Sequence, residues 1–320
     1  MLNRESAPRT TGSPTGNAPI LVTGVPRSGT TWLGRLLALA PGTSLPGREP
    51  MNPRGRQYAL GHTVDGWARL EELSGKQRRA LRSAYAGLNP YVYSRYGSRR
   101  WAGPLPWSRK IVKDPFAMLS VPVVAECTGA IPVLVYRHPG AVLVSYQRMG
   151  WNPDLEELGA VRRAITERHG TKLPELPART VSPAEAMAMF WTMLHSVALP
   201  DLSRVPGAQV VDHAELATSG AEGGRRLFTE LGLSWCDAAE AELTRMARDQ
   251  GPVGEDSRGQ TLHELGRSPA AVAGAWRERL GDDDMRVLDD LAGETLASLD
   301  SARLALGRRP SSPSASEPGA

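Results

Sequence analysis

Residues 18–40, APILVTGVPRSGTTWLGRLLALA, restrict the fold more than any other stretch of the chain. Residues 19–22 are an apolar run ending at Thr23, the signature of a short buried strand. Gly24-Val-Pro-Arg-Ser-Gly29 follows, a loop with glycine at each end. From Thr30 the pattern becomes helical, with Leu33, Leu36, Leu37 and Ala40 on one apolar face. A strand that turns into a helix through glycines builds an anion cradle. Glycine lets the backbone bring N–H groups close to a ligand. The helix start adds N–H donors without intrahelical partners and a positive dipole end. Thr30 and Thr31 contribute hydroxyls, and Arg27 contributes a planar, permanently charged fork. The ligand that suits this combination is a phosphate or sulfate ester.

Gly24 and Gly29 have the spacing of the nucleoside triphosphatase loop G-x-x-x-x-G-K-[ST], but Thr30 stands where the lysine should be. Without that lysine the main contact to the terminal phosphates is lost. The charge sits inside the loop, at Arg27, so the outermost group of the ligand lies differently. A P-loop kinase or other ATP-using enzyme, and a non-catalytic nucleotide-binding module, are the alternatives to a transferase of another kind.

Two later stretches repeat the strand-end logic. Ile131-Pro-Val-Leu-Val-Tyr136 is strongly apolar, and helical periodicity resumes at Ala141 after Arg137-His-Pro-Gly. Pro139 suits a first helical position. Arg137 then lies at the strand's carboxyl end and Ser145 about two turns into the helix, where both can converge on one anion. His138, beside Arg137 on an extended chain, points the other way. Lys110-Ile-Val-Lys113-Asp-Pro-Phe116 reads as another strand stopped at Asp-Pro. A cation at such a strand end, here Lys113, faces the crevice where parallel sheets bind ligands.

Pro26-Arg-Ser-Gly-Thr-Thr-Trp32 resembles the 5′-phosphosulfate loop of sulfotransferases, which use 3′-phosphoadenosine 5′-phosphosulfate (PAPS). The resemblance implies that Arg27 contacts the bridging or sulfuryl oxygens. It gives Ser28, Gly29, Thr30 and Thr31 the 5′-phosphate and lets Trp32 stack on adenine. Arg137 and Ser145 are similar to the family's 3′-phosphate site. Lys-Asp-Pro-Phe is similar to a string in tyrosylprotein and several bacterial sulfotransferases, where the lysine holds the transferring group or the acceptor. Carbohydrate and tyrosylprotein sulfotransferases carry a catalytic glutamate in the loop after the first helix, which implies Glu49 as general base. Residues 267–280 stand where the family closes a loop over the cofactor, yet Ala271 replaces the first glycine of the R-x-x-G-x-x-G-x-W string while Gly274 and Trp276 keep their places. Arg267 is therefore a weak second 3′-phosphate ligand. The implied fold is α/β, a P-loop-like parallel sheet flanked by helices, with helical insertions forming an acceptor lid. The implied acceptor is a hydroxyl on a glycan, glycolipid or other small molecule, a phenol or peptide tyrosine being the alternative.

The remaining signals set bounds. The net charge of +4 is spread along the chain with no basic run, which suits a polyanionic small molecule and not nucleic acid. Cys127 and Cys236 have no metal or redox spacing and read as small buried apolar residues, and no histidine pattern implies a metal. No apolar run reaches the ~18 residues of a bilayer span, so the expectation is a cytoplasmic protein without stable membrane insertion. Residues 1–17 and 307–320 read as disordered tails around one domain at 18–306. The sequence predicts helices over 57–89, 155–169, 183–199 and 282–306, strands at 110–113, 131–136 and 206–212, and a loop over 41–53. The aromatics Tyr91, Tyr93, Tyr96, Trp101 and Trp107 read as packing for a helical lid more than as an acceptor wall.

Overall fold

The computed structural model describes residues 17–53, 60, 63, 64, 66–93, 107–169, 173, 175, 180–248, 274, 276–304. Five strands, β1 (Ile20–Thr23), β2 (Thr43–Ser44), β3 (Arg109–Lys113), β4 (Ile131–Tyr136) and β5 (Gln209–Asp212), form one sheet in the order β2-β3-β1-β4-β5. All the pairings are parallel, with Val22 opposite both Lys113 and Val133.

The central residues of β1, β3, β4 and β5 are apolar because both faces of the sheet are covered. Leu21, Val112, Leu134, Tyr136 and Val210 belong to one core; Ile20, Val22, Ile111, Val133, Val135 and Val211 belong to the other. The second core is closed by α1 (Thr30–Leu37) and by α7 (His213–Thr218), α8 (Gly220–Glu230) and α9 (Asp237–Arg248). The first is closed by α2 (Gly75–Tyr85), α3 (Val121–Thr128), α4 (Pro139–Arg148), α5 (Leu155–His169), α6 (Pro183–Leu202) and α10 (Asp282–Ala302). The Met/aromatic stripe of α6 lies in this core, with Met187 and Trp191 fully buried.

From β1 the chain runs first to β2 and β3 on one side and later to β4 and β5 on the other. That change of direction opens a crevice at the carboxyl end of β1, the place where such sheets bind ligands. Three polar strand ends surround it: Thr23-Gly24, Lys113-Asp114 and Tyr136-Arg137.

Among the described residues of the expected 57–89 segment, helix is confined to Gly75–Tyr85. Ser74 starts it with a reciprocal capping box, accepting from Gln77 N while the Gln77 side chain accepts from Ser74 N. Upstream, Trp67 and Leu73 are buried without being helical. Trp67 packs on Phe116 and Phe190, and Arg69 pins the stretch by pairing with Asp201 and donating to Leu119 O at 3.1 Å. Tertiary contacts, not helical periodicity, put those apolar residues inside. The loop over 41–53 also contains the edge strand β2. Cys127 is buried, whereas Cys236 is only partly so. Tyr93 donates to Gly87 O at 2.6 Å, while Tyr91 and Trp107 are exposed. Tyr96, Trp101, Arg267, Ala271 and both expected tails, apart from Asn17, lie outside the described residues.

Candidate active site

The loop between β1 and α1 is shaped by three left-handed backbone positions: Gly24 (φ 146°), Arg27 (φ 75°) and Gly29 (φ 101°). Both glycines are also required for space. A Cβ on Gly24 would overlap the carbonyl oxygen of Val135, and one on Gly29 would overlap the ring of His213. Arg27 is the one non-glycine residue with positive φ among the described residues, a conformation that costs about 1–3 kcal/mol. Such strain persists only where the surroundings hold it. Arg27 Nε donates to Ser145 Oγ at 2.9 Å, across 118 residues of sequence, and its guanidinium lies 6.0 Å from the ring centre of Trp151. The first phosphate-type loop and the α4 serine therefore meet at one point.

Ser28 is fully buried, and its Oγ has no hydrogen-bond partner. A buried hydroxyl without a partner is costly unless a ligand completes it. Thr30 is buried at the first turn of α1, whose N-cap, Gly29, has no side chain to satisfy the helix donors. Trp32 is 9% exposed and meets His213 edge-on, with ring centres 5.0 Å apart. These features fit a bound anion at the loop: an unsatisfied hydroxyl, free helix-start geometry and a cradle that tolerates no Cβ.

Arg137 ends β4 and is 8% exposed; its carbonyl accepts from Trp191 Nε1 at 3.0 Å. Burial first, then the neighbouring Arg27 and Arg148, lower its pKa to about 10 against the pull of Asp212. Three guanidiniums thus crowd one end of the crevice. His138 is the N-cap of α4: its Nδ1 accepts from Gly140 N at 3.1 Å, which places its proton on Nε2. Its ring stacks on Trp276 at 4.4 Å, and burial followed by Arg277 lowers its pKa to about 4. Trp276 rests on Gly140, where a Cβ would overlap its ring. His138 is a neutral structural link between the Arg137 strand end and the 276–280 segment.

On the other side of β1, Lys113 Nζ donates to Glu49 Oε1, and Asn52 Nδ2 donates to Glu49 Oε2. Both partners of the ion pair are mostly buried, at 14% and 16% side-chain exposure. The Glu49 loop is held from both sides: Arg48 N donates to Val92 O at 3.0 Å and Met51 N to Asp114 Oδ2 at 2.6 Å. Asp114 is wholly buried, and burial, with the charge of Glu49 second, raises its pKa to about 8.

The structure thus brings Arg27 and Ser145 into contact, with Arg137 beside them, and separately joins Glu49 to Lys113. Sequence reasoning missed Asn52, Asp114, Trp151 and His213. The strand-end rule that selected Lys113 and Arg137 applies equally to His213, the first residue after β5. Burial and then Arg137 lower the pKa of His213 to about 3, so it is neutral. Among the described residues no cluster of three or more His, Cys, Asp or Glu could hold a metal, and no helix is long and apolar enough to cross a membrane.

A parallel sheet with a glycine-bounded, arginine-bearing loop at its switch point, and a second arginine at the neighbouring strand end, places two cations where α/β sheets bind ligands. The sequence matches the model of the sulfotransferase family over residues 19–235, and the chain belongs to that family. Among solved structures it is similar to the sulfotransferase domain of the Synechococcus PCC 7002 olefin synthase, at 16% identity and TM-score 0.44 over 90% of this chain and 98% of that one. It is similar to mouse sulfotransferase SULT7A1 complexed with PAP, at 13% identity and TM-score 0.45 over 89% and 86%. Sulfotransferase STF1 from Mycobacterium tuberculosis H37Rv matches at 19% identity and TM-score 0.36 over 71% of each chain. No curated protein matches the sequence.

Proposed function

We propose that this sulfotransferase takes its sulfuryl group from PAPS and delivers it to an acceptor hydroxyl, with Glu49 as the base. The observation that carries this reading is the bond from Arg27 Nε to Ser145 Oγ at 2.9 Å. It couples a 5′-type anion loop to the Arg137 strand end, as a nucleotide phosphorylated at both the 5′ and 3′ positions requires. Ser28, Thr30, Thr31 and the N–H groups of the loop would hold the 5′-phosphate, and Arg137 with Ser145 the 3′-phosphate.

Sulfuryl transfer, like phosphoryl transfer, is an in-line displacement in which charge moves to the leaving oxygen. Arg27 and the loop N–H groups stabilise that charge where it grows. The bond between sulfur and the bridging oxygen breaks as the acceptor oxygen bonds to sulfur, and the acceptor's proton passes to Glu49. Lys113 stands beside Glu49 and would face the sulfuryl oxygens as the acceptor displaces the pair. The likeness to carbohydrate family members supports a glycan, glycolipid or small-molecule hydroxyl as acceptor.

Thermal shift with 3′-phosphoadenosine 5′-phosphate against Mg-ATP tests the donor. Stabilisation by the former is expected; stabilisation by Mg-ATP alone removes the reading. Transfer from labelled PAPS into extracts of the source cell, followed by mass spectrometry, then identifies the acceptor. A nucleotide that binds while label reaches no acceptor would leave only a binding module.

A further inference from the structure

We propose that Asp114 is a positioning residue that sets the distance between the anion loop and the base, holding the Glu49 loop in register with Lys113. The proposal rests on the reading of Glu49 as base. Lys113 and Asp114 are consecutive, and alternation along the strand sends their side chains to opposite sides. Lys113 takes the crevice side and reaches Glu49 directly. Asp114 takes the interior side and reaches the same loop from beneath, through Met51 N at 2.6 Å. Its backbone is tied to β1: Asp114 N donates to Val22 O at 2.9 Å, two residues before Gly24. One residue therefore joins the strand that carries the anion loop to the segment that carries the base.

An ordinary cap explains only half of this arrangement. Asp114 Oδ1 accepts from Phe116 N at 3.1 Å and so opens the 3₁₀ turn Pro115–Ser120. Serine or asparagine caps such a turn equally well. Oδ2 does something a cap does not need: it holds Met51 N, 63 residues away. On the far side of Glu49 the loop is held through Arg48, whose N donates to Val92 O and whose Nη1 donates to Tyr91 O at 3.3 Å, and through the bridge between Gly47 and Tyr93. Glu49 thus lies between two fixed points, one of which is Asp114. Burying a carboxylate costs free energy, and Asp114 is wholly buried with the charge of Glu49 close by. A cost of that kind is retained where position matters.

Asp114→Ser isolates the second function, because a serine hydroxyl can cap Phe116 N but is too short to reach Met51 N. Asp114→Asn is its companion, retaining the size of the side chain without an ionisable carboxyl. Lysine occurs only at 76, 110, 113 and 172, so the side-chain 15N signal of Lys113 can be identified in lysine-labelled protein by substitution. Glu49→Gln removes the ion pair and provides the reference position of that signal. The expected result is that Asp114→Ser moves the Lys113 signal toward the Glu49→Gln position while 3′-phosphoadenosine 5′-phosphate affinity stays within about twofold, since the anion loop is untouched. Sulfate release from PAPS to water should lose about tenfold or more in kcat with KM for PAPS unchanged, the scale of a misplaced reacting group. In the Glu49→Gln background the same substitution should then add nothing. An unmoved Lys113 signal in a folded Asp114→Ser protein overturns the proposal. So does a loss that adds to that of Glu49→Gln, or failure of both Asp114 variants to fold, which would make the carboxylate a fold-wide support. If Glu49→Gln releases sulfate at the wild-type rate, the base assignment falls on its own, while the lysine signal still decides whether Asp114 holds the loop.

Discussion

The two flanks of β1 treat charge in opposite ways. On the β4 flank positive groups accumulate: burial, and after it the charges of Arg27 and Arg148, disfavour the cation at Arg137. On the β3 flank charge is balanced locally, with Glu49 taken by Lys113 and Asn52 and the buried Asp114 side chain accepting from two backbone donors. An arrangement of crowded cations is completed by an anion. An arrangement already neutral is opened by a group that competes for its hydrogen bonds, as an acceptor hydroxyl does. On the function proposed above, the difference separates donor binding from proton removal, and each half should be open to disabling alone.

Arg137→Ala is the largest blow to the β4 flank. It should weaken 3′-phosphoadenosine 5′-phosphate binding by roughly 100-fold or more, the scale of truncating a buried charged contact, as read by titration calorimetry. Affinity within a few-fold of wild type would place the 3′-phosphate elsewhere and dissolve the contrast. Glu49→Gln addresses the other flank. Turnover should fall by roughly 100- to 10,000-fold, the range for loss of a general base, with nucleotide affinity unaltered. A matching loss of affinity would mean the flanks are not separate.

The flanks also answer pH in opposite senses. His138 and His213 on the β4 and β5 side, with His195 beneath on α6, have pKa values lowered by burial to about 4, 3 and 4. Below the ordinary histidine value the unfolded chain takes up protons first, so stability present above it is lost as pH falls. Each histidine costs about 2 kcal/mol by pH 5. Asp114 is raised to about 8, so it holds a proton that the unfolded chain has given up above the ordinary aspartate value, and its contribution falls as pH rises from about 4 toward 8. Melting temperatures should therefore decline toward pH 5, and His195→Gln should shrink that acid limb. Asp114→Asn should flatten the decline from neutral pH to pH 8. An acid limb unchanged by His195→Gln would show that this histidine is not buried neutral in solution.

What the sequence reveals about this site follows the same division. The strand ends were readable because the apolar centres of strands covered on both faces stop at the residue that meets the crevice: Tyr136 gives way to Arg137, and Ile111-Val112 to Lys113. The anion loop was readable because glycine spacing reports backbone shape directly. Contacts made across the fold were not. Nothing in the order of residues says that Met51 N reaches Asp114, that Trp151 lies under Arg27, or that His213 fills the space against Gly29. The stretch ahead of α2 misleads for the same reason: Trp67, Leu70 and Leu73 mimic a helix face, yet Trp67 is fixed by Phe116 and Phe190, and Arg69 by Asp201. α3 and α9 went unread, α3 because Val121-Pro-Val-Val-Ala125 is too evenly apolar to show a helical period.

The smallest effect concerns Trp151, which touches the boundary between the two halves. Gly150 N donates to Gln147 O at 3.1 Å and Trp151 N to Tyr146 O at 3.0 Å, so the end of α4 fixes where the indole stands. The ring meets Tyr146 edge-on and is 38% exposed, with Arg27 at 6.0 Å, the outer limit for a cation–π contact. At that distance and exposure the contact is worth about 0.5–1 kcal/mol, so Trp151→Ala should weaken nucleotide binding by about two- to fivefold. Ser145→Ala removes the other hold on the same guanidinium and should cost more, because a hydrogen bond to a charged group is worth about 1.5–3 kcal/mol. The order of the two variants is the informative quantity. Ser145 leading in nucleotide affinity keeps Arg27 on the donor side of the crevice. Trp151 leading in turnover, with affinity intact, would give the exposed indole to the acceptor and move the boundary between the flanks from β1 to the end of α4.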